Sequence, residues 1–164
     1  MSDPHSLHSS LRETILEHII TGEILRRLWQ MEIYDAEILH SEFDAGGFDM
    51  VLSVGRITRH IQLKASRVSA KTARQTIHRR LFDRAAGCVI WIVVNDDLTA
   101  NHYLWLDVSS LNPERLGVAK HTKGNSEGHK AERPNLRTAP RSLFTRIATL
   151  DDLLHLLLEE KPLP

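Results

Sequence analysis

The sequence has little cysteine, few aromatic residues, no long apolar run and no excess of charge of one sign. The single cysteine in 164 residues, Cys88, excludes an intrachain disulfide. Its place in the run CVIWIVV reads as a buried thiol in a reducing compartment. No stretch approaches the roughly 18 apolar residues that cross a bilayer. The opening MSDPHSLHSSLRET lacks a basic segment followed by an apolar one, which excludes a secretory signal there. These absences point to a cytoplasmic protein with no membrane partner. No glycine-rich fingerprint of a nucleotide site appears, so no nucleotide cofactor is expected, and nothing supports a Cys or Ser nucleophile. Internal repeats and low-complexity tracts are missing too. Aromatic residues make up 5%, and Trp29, Trp91 and Trp105 fall in predicted regular elements, as core or interface rather than base-stacking platforms.

What is present suits one globular domain over residues 1–164, with 41% hydrophobic and 26% charged residues. Lys+Arg and Asp+Glu number 21 each, which excludes a generically basic nucleic-acid binder, yet the charge is strongly segregated. Residues 1–55 carry three basic and ten acidic side chains, 56–84 nine and one, and 120–146 seven and two. Such a chain can present a positive face while near neutral overall.

Leu11, Ile15, Ile19 and Leu25, with Ile24 and Leu28, recur at helical spacing and predict an amphipathic helix over about 10–30, with Ser9 or Ser10 as N-cap. A strand follows over 33–39, then a loop, Glu42 to Gly47, that includes Asp44. Residues 48–54 and 57–65 are β-rich runs separated by Gly55-Arg56, a two-residue hairpin turn with glycine first. Ala70, Ala73, Ile77 and Leu81 predict a second helix over 68–85 with arginines off its apolar stripe. Cys88 to Val94 suits a central strand buried on both faces, and Tyr103 to Val108 a further strand. Residues 113–141 read as one long basic loop, and residues 149–160 as a closing apolar helix. The order suggests an α/β domain with a mixed sheet between helices.

The hairpin fixes a register. With Gly55-Arg56 at the turn, opposed residues have numbers adding to 111, so Asp49 faces Gln62. Alternation places Asp49, His60, Gln62 and Lys64 on one polar face, and Phe48, Met50, Leu52, Ile61 and Leu63 on a core face. Opposed Cβ atoms lie about 5 Å apart, so Asp49 and Gln62 can touch a common ion with Lys64 on the diagonal.

Asp49, thirteen residues before Gln62-Leu63-Lys64 and preceded by a helix carrying Glu23 in Thr-Gly-Glu-Ile-Leu, resembles the PD-(D/E)XK nuclease superfamily over about residues 10–95. The resemblance implies a restriction-endonuclease-like three-layer α/β/α fold with a central mixed sheet. It also implies a metal-dependent phosphodiesterase in which Asp49 matches the motif aspartate, Gln62 the D/E position, Lys64 the lysine and Glu23 the first-helix glutamate. Glu13, Glu17, Glu37, Glu42 and Asp44 lie near enough in sequence to compete with Glu23. Two departures stand out: Phe48 replaces the proline before Asp49, and Gln62 replaces a carboxylate. The ion expected is Mg²⁺, or Mn²⁺ in its place, held by Asp49, Glu23, Gln62 and the Leu63 carbonyl, weakly in the absence of substrate because one charge is missing.

The resemblance makes DNA the expected partner and a metal-dependent endodeoxyribonuclease the expected enzyme. The alternative is a non-catalytic nucleic-acid-binding or partner-binding module on the same fold. Arg67, Lys71 and Arg74 beside the predicted second helix, and Lys120, Lys123, Lys130, Arg133 and Arg137 in the long loop, are the expected phosphate contacts. His121 and His129, eight apart with no cysteine near, do not read as a zinc site. Many nucleases of this superfamily work as homodimers, and the C-terminal helix with Trp105 is the expected interface.

Overall fold

A computed structural model describes residues 7–43, 45–124, 126 and 128–159. Asp44 of the predicted loop, Asn125 and Glu127 of the basic segment, and residue 160 of the closing helix lie outside the described residues, as does most of the polar leader.

Helix α1 spans Ser9–Gln30. Its start differs slightly from the expected one: His8 is the N-cap, without a side-chain hydrogen bond, and both serines lie inside the first turn. Its phase differs more. Leu16, Ile20, Ile24 and Leu28 are the buried stripe, whereas Leu11, Ile19 and Leu25 are exposed. The helix carries apolar residues on two opposite faces, and a 3.6-residue period alone does not say which of them meets the sheet.

Strands β1 (Ala36–His40), β2 (Met50–Val54) and β3 (Ile57–Arg67) form an antiparallel meander. The hairpin register is the expected one, Val54 opposite Ile57 and Met50 opposite Ile61. Gly55 sits at φ 55°. A side chain there would be strained, which is why glycine occupies the first turn position. Beyond β4 (Arg74–His78), strand β5 (Gly87–Val94) pairs parallel with β3, and β6 (Ala100–Asp107) pairs antiparallel with β5. After β7 (Gly117–Lys120) and β8 (Glu132–Pro140), the short β9 (Thr145–Ile147) closes a six-stranded mixed sheet of order β1-β2-β3-β5-β6-β9. Helix α2 follows at Leu150–Leu157.

Two expectations are corrected. Residues 68–85 form no α-helix; they are irregular up to Ala73, then β4, then a 3₁₀ turn at Arg79–Asp83. Ile77 in the strand and Leu81 in the turn are both fully buried four residues apart, which imitates a helical stripe. The segment 113–140 is not one loop, because β7 and β8 join β4 in a second, antiparallel sheet of order β4-β8-β7.

The layers therefore differ from α/β/α. Both α-helices found among the described residues pack on one face of the large sheet, against Met50, Leu52, Ile61, Ile90 and Ile92. The opposite face, lined by Val89, Trp91, Leu104 and Leu106, takes Ile77, Leu81, Ala139 and Phe144 from the small sheet and its 3₁₀ turns. Every residue of β5 is buried, as a strand covered on both faces requires, and Cys88 is at 0% exposure. Trp91 lies edge-on to Phe144, 5.3 Å between ring centres, and its Nε1–H donates to Ser66 Oγ at 2.8 Å.

His102, 7% exposed on β6, has its pKa held below the ordinary 6.5, first by burial and then by Arg146 and Arg141. The unfolded chain accordingly takes up a proton that the folded chain refuses. The stability from this group is present above about pH 6.5 and is lost as pH falls. Thermal unfolding followed from pH 7.5 to 5 is expected to show a fall in Tm that is smaller in His102→Gln; an equal fall in both proteins would assign the loss elsewhere.

Candidate active site

The β2–β3 hairpin delivers Asp49 and Lys64 to one cleft of about 350 Å³. Asp49 immediately precedes β2, where its backbone N–H donates to Ile61 O at 2.9 Å and continues the ladder by one residue. Its side chain turns across to β3, and Oδ2 accepts the Leu63 N–H at 2.6 Å. The carboxylate is thereby fixed beside the Gln-Leu-Lys segment, with one oxygen committed to the backbone. Lys64, partly buried, enters the same cleft.

Helix α1 closes one wall with Glu13, Leu16 and Glu17. Glu17 Oε1 lies 2.6 Å from His40 Nδ1 at the end of β1, which steadies the carboxylate over the sheet edge. Gln75 of β4 closes another wall. Two acids from α1, one from the hairpin and a lysine thus share the cleft.

Glu23 is not among them. It lines a separate cavity of about 270 Å³ with Ile20, Leu98, Thr99 and Tyr103, where it pairs with Arg26 at 2.5 Å. The Tyr103 hydroxyl there is pushed up in pKa, first by burial and then by the Glu23 charge. Six residues of helix carry Glu23 about 9 Å along the axis from Glu17 and about 120° around it, so the two emerge on opposite sides of the buried stripe. Glu17, with Glu13 one turn before it, is the helix acid that shares the cleft with Asp49.

Gln62 faces Asp49 in register, yet it is only 6% exposed, and its Oε1 accepts the His78 N–H from β4 at 3.2 Å. The polar face of the hairpin is accordingly only partly open to solvent: β4 and its turn cover the Gln62 end, and His60 lies edge-on to Phe48 at 5.0 Å. Gln62 ties the large sheet to the small one. The expected ligand set of Asp49, Glu23, Gln62 and the Leu63 carbonyl is therefore not assembled as a unit, and among the described residues no group of three His, Cys, Asp or Glu converges as an ion site. The set that does share a cleft, Asp49 and Glu17 beside the Leu63 backbone, fits Mg²⁺ in a limited way, because that ion commonly takes one or two carboxylates, waters and substrate phosphate oxygens.

The expected phosphate contacts divide. Lys71 is exposed on the approach to β4 and Arg74 at its first position, next to Gln75 of the cleft. Lys120, Lys123, Lys130 and Arg133 are exposed on the β7–β8 hairpin. Arg67 is partly buried and lies 3.8 Å from Asp96. Arg137 turns inward instead: 6% exposed, it donates to Pro113 O, to Pro134 O at 2.7 Å and to Glu114. Alternation along β8 puts Arg137 on the inner side of the small sheet, opposite Ile77. Its role is to hold the 3₁₀ turn at Pro113–Arg115 onto β8.

No family model and no curated protein sequence matches the chain. Among solved structures, the bacterial homing endonuclease I-Ssp6803I is similar over 69% of this chain and 82% of its own, at 18% sequence identity and a TM-score of 0.33. No helix among the described residues is long and apolar enough to cross a membrane.

Proposed function

We propose that this chain is a divalent-metal-dependent endonuclease that hydrolyses DNA phosphodiester bonds in the cleft between α1 and the β2–β3 hairpin. The observation that carries the reading is the meeting of Asp49, Lys64 and Glu17 in one cleft, from three separate elements. Asp49 and Glu17, with the Leu63 carbonyl, would hold the ion, which when bound supplies Lewis-acid polarisation of the phosphoryl oxygen and a lowered pKa for its water. Lys64 offers a fixed positive charge to the phosphate oxygens as charge builds on them. The Leu63 N–H holds the Asp49 carboxylate in one orientation, so little reorganisation is needed on binding. Lys71 and Arg74 stand where a phosphate backbone entering past Gln75 would pass, and contacts of that kind give affinity without reading sequence.

One observation favours a second reading. Gln62 is uncharged, buried and committed to the His78 N–H, as in a fold that keeps nucleic-acid binding without chemistry. Supercoiled, linear, single-stranded and branched DNA incubated with Mg²⁺ or Mn²⁺, and with chelator as control, separates the two. Metal-dependent nicking or cutting of any of these is the expected result. Salt-sensitive binding without cleavage of any substrate would leave the binding module standing in its place.

A further inference from the structure

Helix α1 has a second apolar stripe, opposite the one that faces the sheet. Leu11 is 60% exposed, Leu25 38% and Trp29 69%. At 100° per residue Leu11, Ile15, His18, Gly22, Leu25 and Trp29 fall within about 40° of one line along the helix, diametrically across from Leu16, Ile20, Ile24 and Leu28. Their spacing alternates four and three residues, the repeat of a helix–helix seam. Among the described residues nothing stands within 4 Å of where a Gly22 side chain would begin, so another backbone can approach there. Tyr34 extends the stripe beyond the end of the helix: it is 64% exposed and packs edge-on to Trp29 at 4.9 Å.

We infer that this face is a two-fold dimer interface in which α1 packs antiparallel against α1 of a second copy of the chain, Trp29 against the partner's Leu11. The occupant follows from the pattern, which is self-complementary. With residue numbers adding to 40 across the two-fold axis, Leu11 meets Trp29, Ile15 meets Leu25, and His18 meets Gly22, each apposed twice, as an isologous contact requires. The bulkiest side chain meets a leucine, and the histidine meets the residue with no side chain. The area is of the right order. The exposed parts of these side chains with Tyr34 amount to on the order of 500 Å² of apolar surface per protomer, against about 800 Å² per partner in a standard interface. Trp29, the most exposed apolar side chain of the stripe, lies toward each end of the seam, and an exposed tryptophan is the type of residue that dominates association energy.

This replaces the expected interface on the C-terminal helix. There Leu153, Leu154 and Leu157 are fully buried against the sheet, Trp105 is 8% exposed, and Asp151, Asp152 and His155 face outward. Because α1 also carries Glu13 and Glu17 into the cleft on another of its sides, pairing through the outer stripe would fix two clefts in one rigid body. The inference does not depend on what the cleft does.

Sedimentation or light scattering of the full chain from about 1 to 100 µM is the test, a range that brackets a micromolar dissociation constant. A dimer is expected whose dissociation constant rises at least tenfold in Trp29→Glu and in Leu11→Glu, with circular dichroism unchanged because both side chains are exposed. Val68→Glu, at an exposed apolar residue away from α1, is expected to leave assembly as it was. Under mild oxidation, a mixture of Leu11→Cys and Trp29→Cys chains is expected to form a disulfide-linked heterodimer that neither chain forms alone. A monomer at the highest concentration, a dimer indifferent to both glutamate variants, or disulfides within each single-variant pool instead of the mixture would overturn the antiparallel pairing.

Discussion

Arg59→Met is expected to destabilise the fold by about 2–4 kcal/mol, the cost of removing a buried group that satisfies several carbonyls at once. Arg59 lies on β3 at 1% exposure, between Ile57 and Ile61 on the face that meets the helices. Its Nε donates to Leu157 O at 2.8 Å, and its Nη2 to Leu156 O at 3.1 Å and Glu159 O at 2.5 Å. These are carbonyls at the end of α2, the groups a helix leaves without intrahelical partners. The guanidinium also places positive charge at the negative end of the helix dipole. Burial pulls its pKa below the ordinary arginine value, but a guanidinium is not deprotonated in proteins, so its donors stay available. Methionine keeps most of the volume and none of the donors. Urea unfolding is expected to show the lower midpoint, and amide exchange is expected to show α2 loosened first, because Leu153, Leu154 and Leu157 bury their side chains only while the helix is docked. An unchanged midpoint would mean that water satisfies those carbonyls equally well.

Arg59 also shows where reading the sequence stopped. Alternation puts it on the core face, in conflict with its charge, and the conflict is resolved only by a helix end about 100 residues away, which no local pattern can announce. The hairpin was legible because its determinants are local: a glycine in the turn, and period-two alternation on both sides of it. The central strand was legible because seven consecutive apolar residues from Cys88 to Val94 suit a strand covered on both faces. The second sheet was not. Strand β4 has one fully buried residue, Ile77, and its pairing partner β8 lies in a stretch whose Lys, Arg, Gly and Pro content reads as loop. Half of the site was visible in the same way. Asp49 and Lys64 follow from the register, but which α1 glutamate joins them depends on the phase of a helix that is apolar on two sides. Once Leu16, Ile20 and Ile24 are known to be the buried stripe, Glu17 and Glu23 fall on opposite sides of it, and the cleft with Asp49 is on the side of Glu17.

That distinction gives the cleft its sharpest prediction. If the chain cleaves DNA, Asp49→Asn, Lys64→Ala and Glu17→Gln are each expected to lower the rate by on the order of 10²–10³-fold, the usual loss when one fixed charge at a developing transition state is removed. Glu23→Gln is expected to cut at close to the wild-type rate, since Glu23 lines a different cavity and pairs with Arg26. Asp49→Asn is the informative change at that position, because the amide oxygen can still accept the Leu63 N–H while the negative charge is gone, and thermal unfolding should therefore stay near wild type. Full activity in Glu17→Gln with loss in Glu23→Gln would reverse the assignment of the helix glutamate. Gln62→Glu probes the missing carboxylate from the other direction. A glutamate there can keep the His78 N–H as a partner while adding a negative charge beside Asp49, so the Mg²⁺ concentration giving half-maximal cleavage is expected to fall. A rise, with the melting temperature lowered, would mean that the side chain at position 62 serves the join between the two sheets and that Asp49 and Glu17 recruit the ion without it.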